Sequence, residues 1–332
     1  MQSKTARNPA TEPAPPVTRA CFNYIDRATQ SSLRRNGKVL LRRDGDGSDS
    51  GIQGFTQSRF DADVVDARRL RERPTLERHG FELLEQPLAD PALDFYDQQQ
   101  VLRYYYAECV RLIERHTGAR AFAFDHNVRS MRGKNTQRRI AGGQQVQEPI
   151  HMVHGDYTLT SGPQRLRDLA RPPGGNDTLR AILGPGESLI APELLDHVFS
   201  GGGRFGIVNV WRNIAPEPVA VHPLAVCDNR SIDPADLVVF EIHYGDRIGE
   251  NYFIKPSPAH RWHYYPGMTR DEALLFKQWD SAGTLARSDG RHGDDADATT
   301  TFTLHSAFDD PASPADAPDR QSIEVRCVVI YG

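Results

Sequence analysis

The chain has 332 residues, 38% of them hydrophobic, which is enough for one large β-core with helical flanks or for two small domains. Its formal net charge of −4 gives no overall field for drawing in nucleic acid, and no apolar run is long enough to cross a bilayer. The first residues lack the apolar core of a signal peptide, and Cys21, Cys109, Cys227 and Cys327 are widely spaced without a C-x-x-C pair, so a cytoplasmic chain with reduced thiols is expected.

Residues 1–18, rich in Pro, Ala and Thr and without periodicity, read as a disordered leader, and 19–332 as a single domain. The Gly/Asp/Ser tract at 44–51 reads as a flexible connection, followed by a strand around 61–66 and a short helix from Pro74 that Gly80 ends. The clearest helix spans 98–117. Its Val101, Leu102, Tyr105, Cys109, Leu112 and Ile113 recur at helical spacing, Gly118 stops it, and the three tyrosines at 104–106 read as packing.

Residues 119–125 alternate as a strand and lead into a basic segment, 129–139, which reads as a solvated loop or as a mobile cover that draws in an anionic substrate. Helices are expected at 163–168 and 192–200, on either side of the turn-forming stretch 171–177. The second half is dense in strands, at 206–211, 237–243, 251–254, 260–265, 301–308 and 322–331, which together read as a closed or sandwiched β-architecture. The helix-forming composition of 272–279 predicts a short helix among them, and 289–297 reads as an acidic surface loop.

Chemistry is concentrated in His154-Gly155-Asp156. Side chains two apart on a strand point the same way, so His154 and Asp156 can bind one ion if Gly155 keeps the intervening backbone clear. An isolated His-x-Asp is more often a hydrogen-bonded surface pair than half of a metal site. Here a second histidine, His305, follows on a strand-like segment, and two histidines with one carboxylate on one face of a metal are what non-haem Fe(II) oxygenases use. The chain has twelve histidines, and His151, His197, His222, His243, His260, His263 and His292 are rivals for the role.

Beyond a Pro/Asp-rich connection, Arg320 and Ser322 share a face at the mouth of the last strand. A guanidinium beside a hydroxyl can hold a carboxylate by forked hydrogen bonds, which suits the distal end of 2-oxoglutarate, and Arg326 on the same face competes for that role.

Five stretches resemble the CmcJ/NvfI-type (asaB-like) hydroxylase/desaturase family. They are LERHGFELL from Leu76, VHGDYT from Val153, RFGIVNVWRN from Arg204, WHYYPGM from Trp262 with DEALLFKQWDS from Asp271, and HSAFDDP from His305 with RQSIEVR from Arg320. The resemblance implies a mainly β fold with flanking helices and a double-stranded β-helix (jelly-roll) core. It implies Fe(II) held by His154, Asp156 and His305, 2-oxoglutarate as co-substrate with Arg320 its natural partner and Arg326 the alternative, and a role in specialised metabolism. Asn209 and Arg212, within the third stretch, become further candidates for positioning co-substrate or substrate. On this reading the partners are a small-molecule substrate and O₂, with no nucleic acid and no membrane, and the oligomeric state is left open, a homodimer included. The alternatives are an Fe(II) oxidase that does not use 2-oxoglutarate and a non-catalytic β-sandwich that binds a metabolite.

Overall fold

The computed structural model describes residues 15–43, 49–174, 177–200, 203–245 and 247–332. Its strands are β1 (Val17–Ile25), β2 (Leu40–Arg43), β3 (Asp49–Gln53), β4 (Gln57–Asp66), β5 (Phe81–Glu85), β6 (Arg120–Arg129), β7 (His154–Gly155), β8 (Arg204–Asn213), β9 (Leu224–Cys227), β10 (Leu237–His243), β11 (Ile248–Ile254), β12 (Trp262–Tyr264), β13 (Glu272–Asp280), β14 (His305–Ala307) and β15 (Ser322–Tyr331). They form two sheets, a larger one ordered β1-β4-β12-β9-β14-β7-β11-β10-β2-β3 and a smaller antiparallel one ordered β5-β13-β8-β15-β6.

One apolar cluster joins the inner faces, with Ile207 and Val328 of the smaller sheet packed among Tyr252, Ile254, Phe302 and Leu304. The outer face of the smaller sheet carries Val208, Val210, Ile323, Val325 and Cys327, and these pack with Cys109, Leu112 and Ile113 of α1 (Tyr106–Thr117). The period-2 alternation of β8 and β15 therefore serves two apolar layers at once, and the polar residues of the inward parity are free to build a site. This is the mainly β jelly-roll expected.

The helix at 98–117 is present as a continuous run of Gln98–Gln100, a π-helical stretch Val101–Tyr105, and α1, ended by Gly118 at φ 68°. Tyr105 and Tyr106 are buried, whereas Tyr104 is exposed. Thr75 caps the short helix Leu76–His79, and Gly80 at φ 84° closes it. The helices α2 (Ser161–Leu169) and α3 (Pro192–Phe199) match the two expected around the turn-forming stretch.

Several expectations need correction. The leader mostly lies outside the described residues, but Val17 and Thr18 already pair with Val65 and Val64, so order starts before residue 19. Within 44–51, residues 44–48 lie outside the described residues, and Asp49–Gln53 is a strand hydrogen-bonded to β2. The stretch 272–279 is a strand, because it is the partner of both β5 and β8 and is buried from Ala273 to Asp280. Burial between two neighbours overrides the weak helical preference of Leu, Lys and Gln.

Only His305–Ala307 of 301–308 is strand. Thr303 instead donates its N–H to the Lys277 carbonyl and Leu304 accepts from Cys227, so this segment crosses from one sheet to the other. The basic segment is not a plain loop: Arg129 ends β6, and Met131–Asn135 is a short helix capped by Ser130. Asp294, read as part of a surface loop, is buried and accepts from Thr301, Leu285 and Asn229.

Candidate active site

β7 and β14 are neighbours, and His154 stands directly opposite His305 in their register, with ring centroids 4.3 Å apart. Asp156 lies just past the two-residue strand β7, its Oδ1 at 3.4 Å from His154 Nε2 and 3.8 Å from His305 Nε2. The three donor atoms thus converge on one point. Gly155 packs closely here: a Cβ there would come to 3.2 Å from Leu304 Cδ2, so that side chain would have to shift by a few tenths of an ångström.

Both imidazoles are oriented for a metal. His154 Nδ1 lies 2.7 Å from the Met152 carbonyl and His305 Nδ1 lies 3.2 Å from that of Thr303, which assigns the proton to Nδ1 and leaves each Nε2 lone pair facing Asp156. Burial and the neighbouring His154 push the His305 pKa down to about 3, so that ring is neutral and able to ligate. Burial alone would raise Asp156, but Arg326 and the two histidines outweigh it and hold the carboxyl well below its usual range. Phe276 sits edge-on to His305 at 5.0 Å and restricts the ring's rotation.

Inward-facing residues of the smaller sheet cover this point. Trp211 pairs with Glu324, Asn209 with Arg326, and Ser322 with both Asn213 and Arg129 across β8, β15 and β6. Beside the imidazoles a small recess is lined by Arg129, Trp211, Arg320 and Glu324. Arg320 is buried, lies with Cζ 5.6 Å from the centre of the Trp211 ring, and donates to the His222 carbonyl. Its Nε has no acceptor, and among the described residues it makes no ion pair. Burial, reinforced by Arg129, pushes the Arg320 pKa down to about 9, which still leaves it charged at neutral pH.

A buried cation with an unused donor is strongly destabilising unless an anion meets it. The hydroxyl of Ser322 and both amide atoms of Asn209 are likewise buried and unpaired. The His₂/carboxylate donor set suits Fe(II), and the unused donor of Arg320 in the recess beside the imidazoles suits a carboxylate. The residues present fit both groups.

The other candidates separate clearly. Arg326 is already occupied, holding Asp156 (2.9 Å), Glu324 (2.9 Å) and Asp125 (3.1 Å). Arg212 lies on the opposite face of β8, bonded to the Tyr105 hydroxyl and the carbonyls of Gln86 and Arg270, where it anchors the helical layer rather than meeting the metal point. Among the rival histidines, His243 bonds Glu241 and His260 bonds Tyr24, while His151 and His222 face Asp309 outside the triad.

Arg129 and Glu324 were not singled out as site residues from the sequence, nor was Gln278, whose Oε1 accepts from the Asp156 N–H. Glu324 shares the parity of Ser322 and Arg326, a signal that could have found it. Past Asp156 and Arg326 opens a cleft of about 450 Å³ lined by Asp125, Tyr157, Arg165, Arg171 and Thr178. Among the described residues no helix is long and apolar enough to cross a membrane.

Comparison with known proteins agrees with this arrangement. The family model described as YDMC, an oxidoreductase/YMDC permease-like domain, matches residues 22–330. The chain is similar to an uncharacterised protein from the dcmA 3′ region of Methylophilus leisingeri, 42% identical over 193 residues, which is 58% of this chain and 88% of that one. It is similar to the Fe(II)/2-oxoglutarate-dependent dioxygenase nvfI of Aspergillus novofumigatus, 30% identical over 275 residues, or 80% and 82% of the two chains. The fold superimposes on the iron and alpha-ketoglutarate-dependent endoperoxidase NvfI with a TM-score of 0.69 at 25% identity, covering 95% of this chain and 98% of that one. With two sheets, a converged His₂/Asp set and a full-length match of this kind, the chain belongs to the hydroxylase/desaturase family of Fe(II)/2-oxoglutarate-dependent dioxygenases.

Proposed function

We propose that this chain binds Fe(II) through His154, Asp156 and His305 and 2-oxoglutarate through Arg320 and Ser322, and oxidises a C–H position of a small molecule of specialised metabolism. The observation that carries the assignment is Arg320: a buried guanidinium beside the triad whose Nε has no acceptor and which makes no ion pair among the described residues. When bound, iron and 2-oxoglutarate supply with O₂ the oxidising power for hydroxylation or desaturation, releasing succinate and CO₂.

The chain's own residues hold and shield. Arg326 aims Asp156, the Met152 and Thr303 carbonyls orient the two imidazoles, and Arg320, with the Ser322 hydroxyl, neutralises a distal carboxylate. Trp211 and Phe276 keep bulk water from the donor atoms. The cleft beyond Asp156 has the size of a small-molecule site, and its mixture of Asp125, Arg165, Arg171 and Thr178 supports a polar substrate. Four free cysteines, three of them buried, support a reducing compartment such as the cytoplasm.

The test is succinate release by purified protein with iron, O₂ and 2-oxoglutarate across a panel of candidate small molecules, with each component omitted in turn. Substrate-stimulated succinate that needs both iron and 2-oxoglutarate is expected. Turnover of a substrate that continues without 2-oxoglutarate would overturn the co-substrate assignment.

A further inference from the structure

A second set of ligand atoms converges next to the first, two of its three residues flanking the same strands β7 and β14 and the third, His222, standing just before β9. His151 Nε2 lies 3.2 Å from His222 Nδ1 and 3.3 Å from Asp309 Oδ1, and His222 Nδ1 lies 3.0 Å from that same oxygen. Each ring nitrogen has one in-plane direction for a proton or a lone pair, so it cannot satisfy two partners placed this way. A near-equilateral triangle of donor atoms instead surrounds a single point. For a tetrahedral ion with bonds of about 2.0–2.1 Å, ligand atoms stand about 3.3 Å apart.

The surroundings agree. His151 Nδ1 lies 3.2 Å from the Pro149 carbonyl, the same contact to the carbonyl two residues back that orients His154 and His305, so its Nε2 lone pair faces the triangle. His222 adopts φ 47°, in the left-handed region that histidine enters more often than most non-glycine residues, and this fixes the direction in which its ring leaves the chain. The two rings stand nearly perpendicular, at 87° with centroids 4.9 Å apart, so they approach the common point from different directions. His151 precedes β7 and Asp309 follows β14, and the Ala307 N–H to Ile150 carbonyl bond of 2.7 Å pins these flanks together.

We propose that His151, His222 and Asp309 form a second divalent-metal site, separate from the His154/Asp156/His305 triad. Two imidazoles and one carboxylate select zinc or a similar transition ion over calcium or magnesium, which take oxygen ligands. The Asp309 side chain is 81% exposed, so water completes the coordination and the ion exchanges readily. The carbonyl of the same His222 accepts from Arg320, so an ion there steadies the residue against which the guanidinium rests.

The experiment is zinc binding to the full chain in a chelator-buffered zinc series, with bound metal counted per chain by mass spectrometry. Compared are wild type, Asp309→Ala, His151→Gln, a His154→Ala/His305→Ala variant, and the last combined with Asp309→Ala. Expected are two zinc ions in wild type, one in each of the next three, and none in the combined variant. Zinc should also raise the thermal midpoint of His154→Ala/His305→Ala and not that of the combined variant. Absence of zinc from His154→Ala/His305→Ala, or its retention after Asp309→Ala is added, would overturn the site. If Asp309→Ala binds none, it is the triad assignment that fails, and the two results are distinguishable.

Discussion

Arg326 grips a single oxygen of Asp156 with two nitrogens, Nε at 3.0 Å and Nη2 at 2.9 Å, and so turns the other oxygen toward the two imidazoles. The carboxylate is thereby fixed before any ion arrives. Removing such a support typically costs 10–100-fold in metal affinity. Arg326→Ala should therefore weaken Fe(II) or Co(II) binding by about that factor, measured by anaerobic titration. Arg326→Lys should recover part of it, since an ammonium keeps the charge but not the fork. Unchanged metal affinity in Arg326→Ala would show that Asp156 needs no aiming.

The co-substrate should respond to a different arginine. Arg320→Ala would remove the proposed charge-assisted contact to 2-oxoglutarate, worth on the order of 2–4 kcal/mol, so the apparent 2-oxoglutarate requirement should rise about 30- to 1000-fold. Metal affinity should move far less. Ser322→Ala, which removes only a hydroxyl, should shift the requirement in the same direction by a smaller factor. If Arg326→Ala raised the requirement steeply and Arg320→Ala did not, the roles of the two arginines would be exchanged.

His154→Ala, Asp156→Ala and His305→Ala should each abolish iron retention and turnover if these are the three proposed protein ligands, while the far-ultraviolet spectrum stays that of the wild type. His292→Ala, in the loop after β13, and His197→Ala, on α3, should retain both. Normal turnover in any of the first three would remove the triad from the mechanism.

How the residues become legible differs from element to element. β10 and β15 can be read to the residue because each is a β-branched run bounded by turn formers. His154, Asp156 and His305 stand out because metal chemistry demands their types and because two of them are two apart. Arg129 was hidden in a basic run that looks like a solvated face, and only the β6–β15 register, which sets it opposite Ser322, brings it to the recess. β13 was hidden for the opposite reason: a central strand buried by two partners needs no alternation, so its composition suggested a helix. Arg212 shows the limit of parity. Its place on the strand face opposite Asn209 argues against a site role, yet the resemblance makes it a candidate, and its anchoring role depends on Tyr105 and the Gln86 and Arg270 carbonyls, which lie far away in sequence.

Two further histidines make the stability of the metal-free protein depend on pH. Burial pushes both His260, stacked on Tyr24 at 5.6 Å, and His263, 5.5 Å from the Phe81 ring, down to about 4; for His263 it outweighs the opposing pull of Asp228. Well above pH 6.5 each is neutral whether the chain is folded or not. Between about pH 6.5 and 4 the unfolded chain takes up a proton that the folded chain refuses, so stability falls as the pH falls through this window. Each group contributes up to about 1.4 kcal/mol per pH unit there. The thermal midpoint of metal-free protein, measured from pH 7.5 to 5, should be flat at the upper end and drop below about pH 6.5. His263→Gln cannot titrate, so its midpoint should fall less steeply with acid than that of wild type, whatever its absolute stability. An identical slope in the two proteins would mean that His263 takes up its proton while still folded.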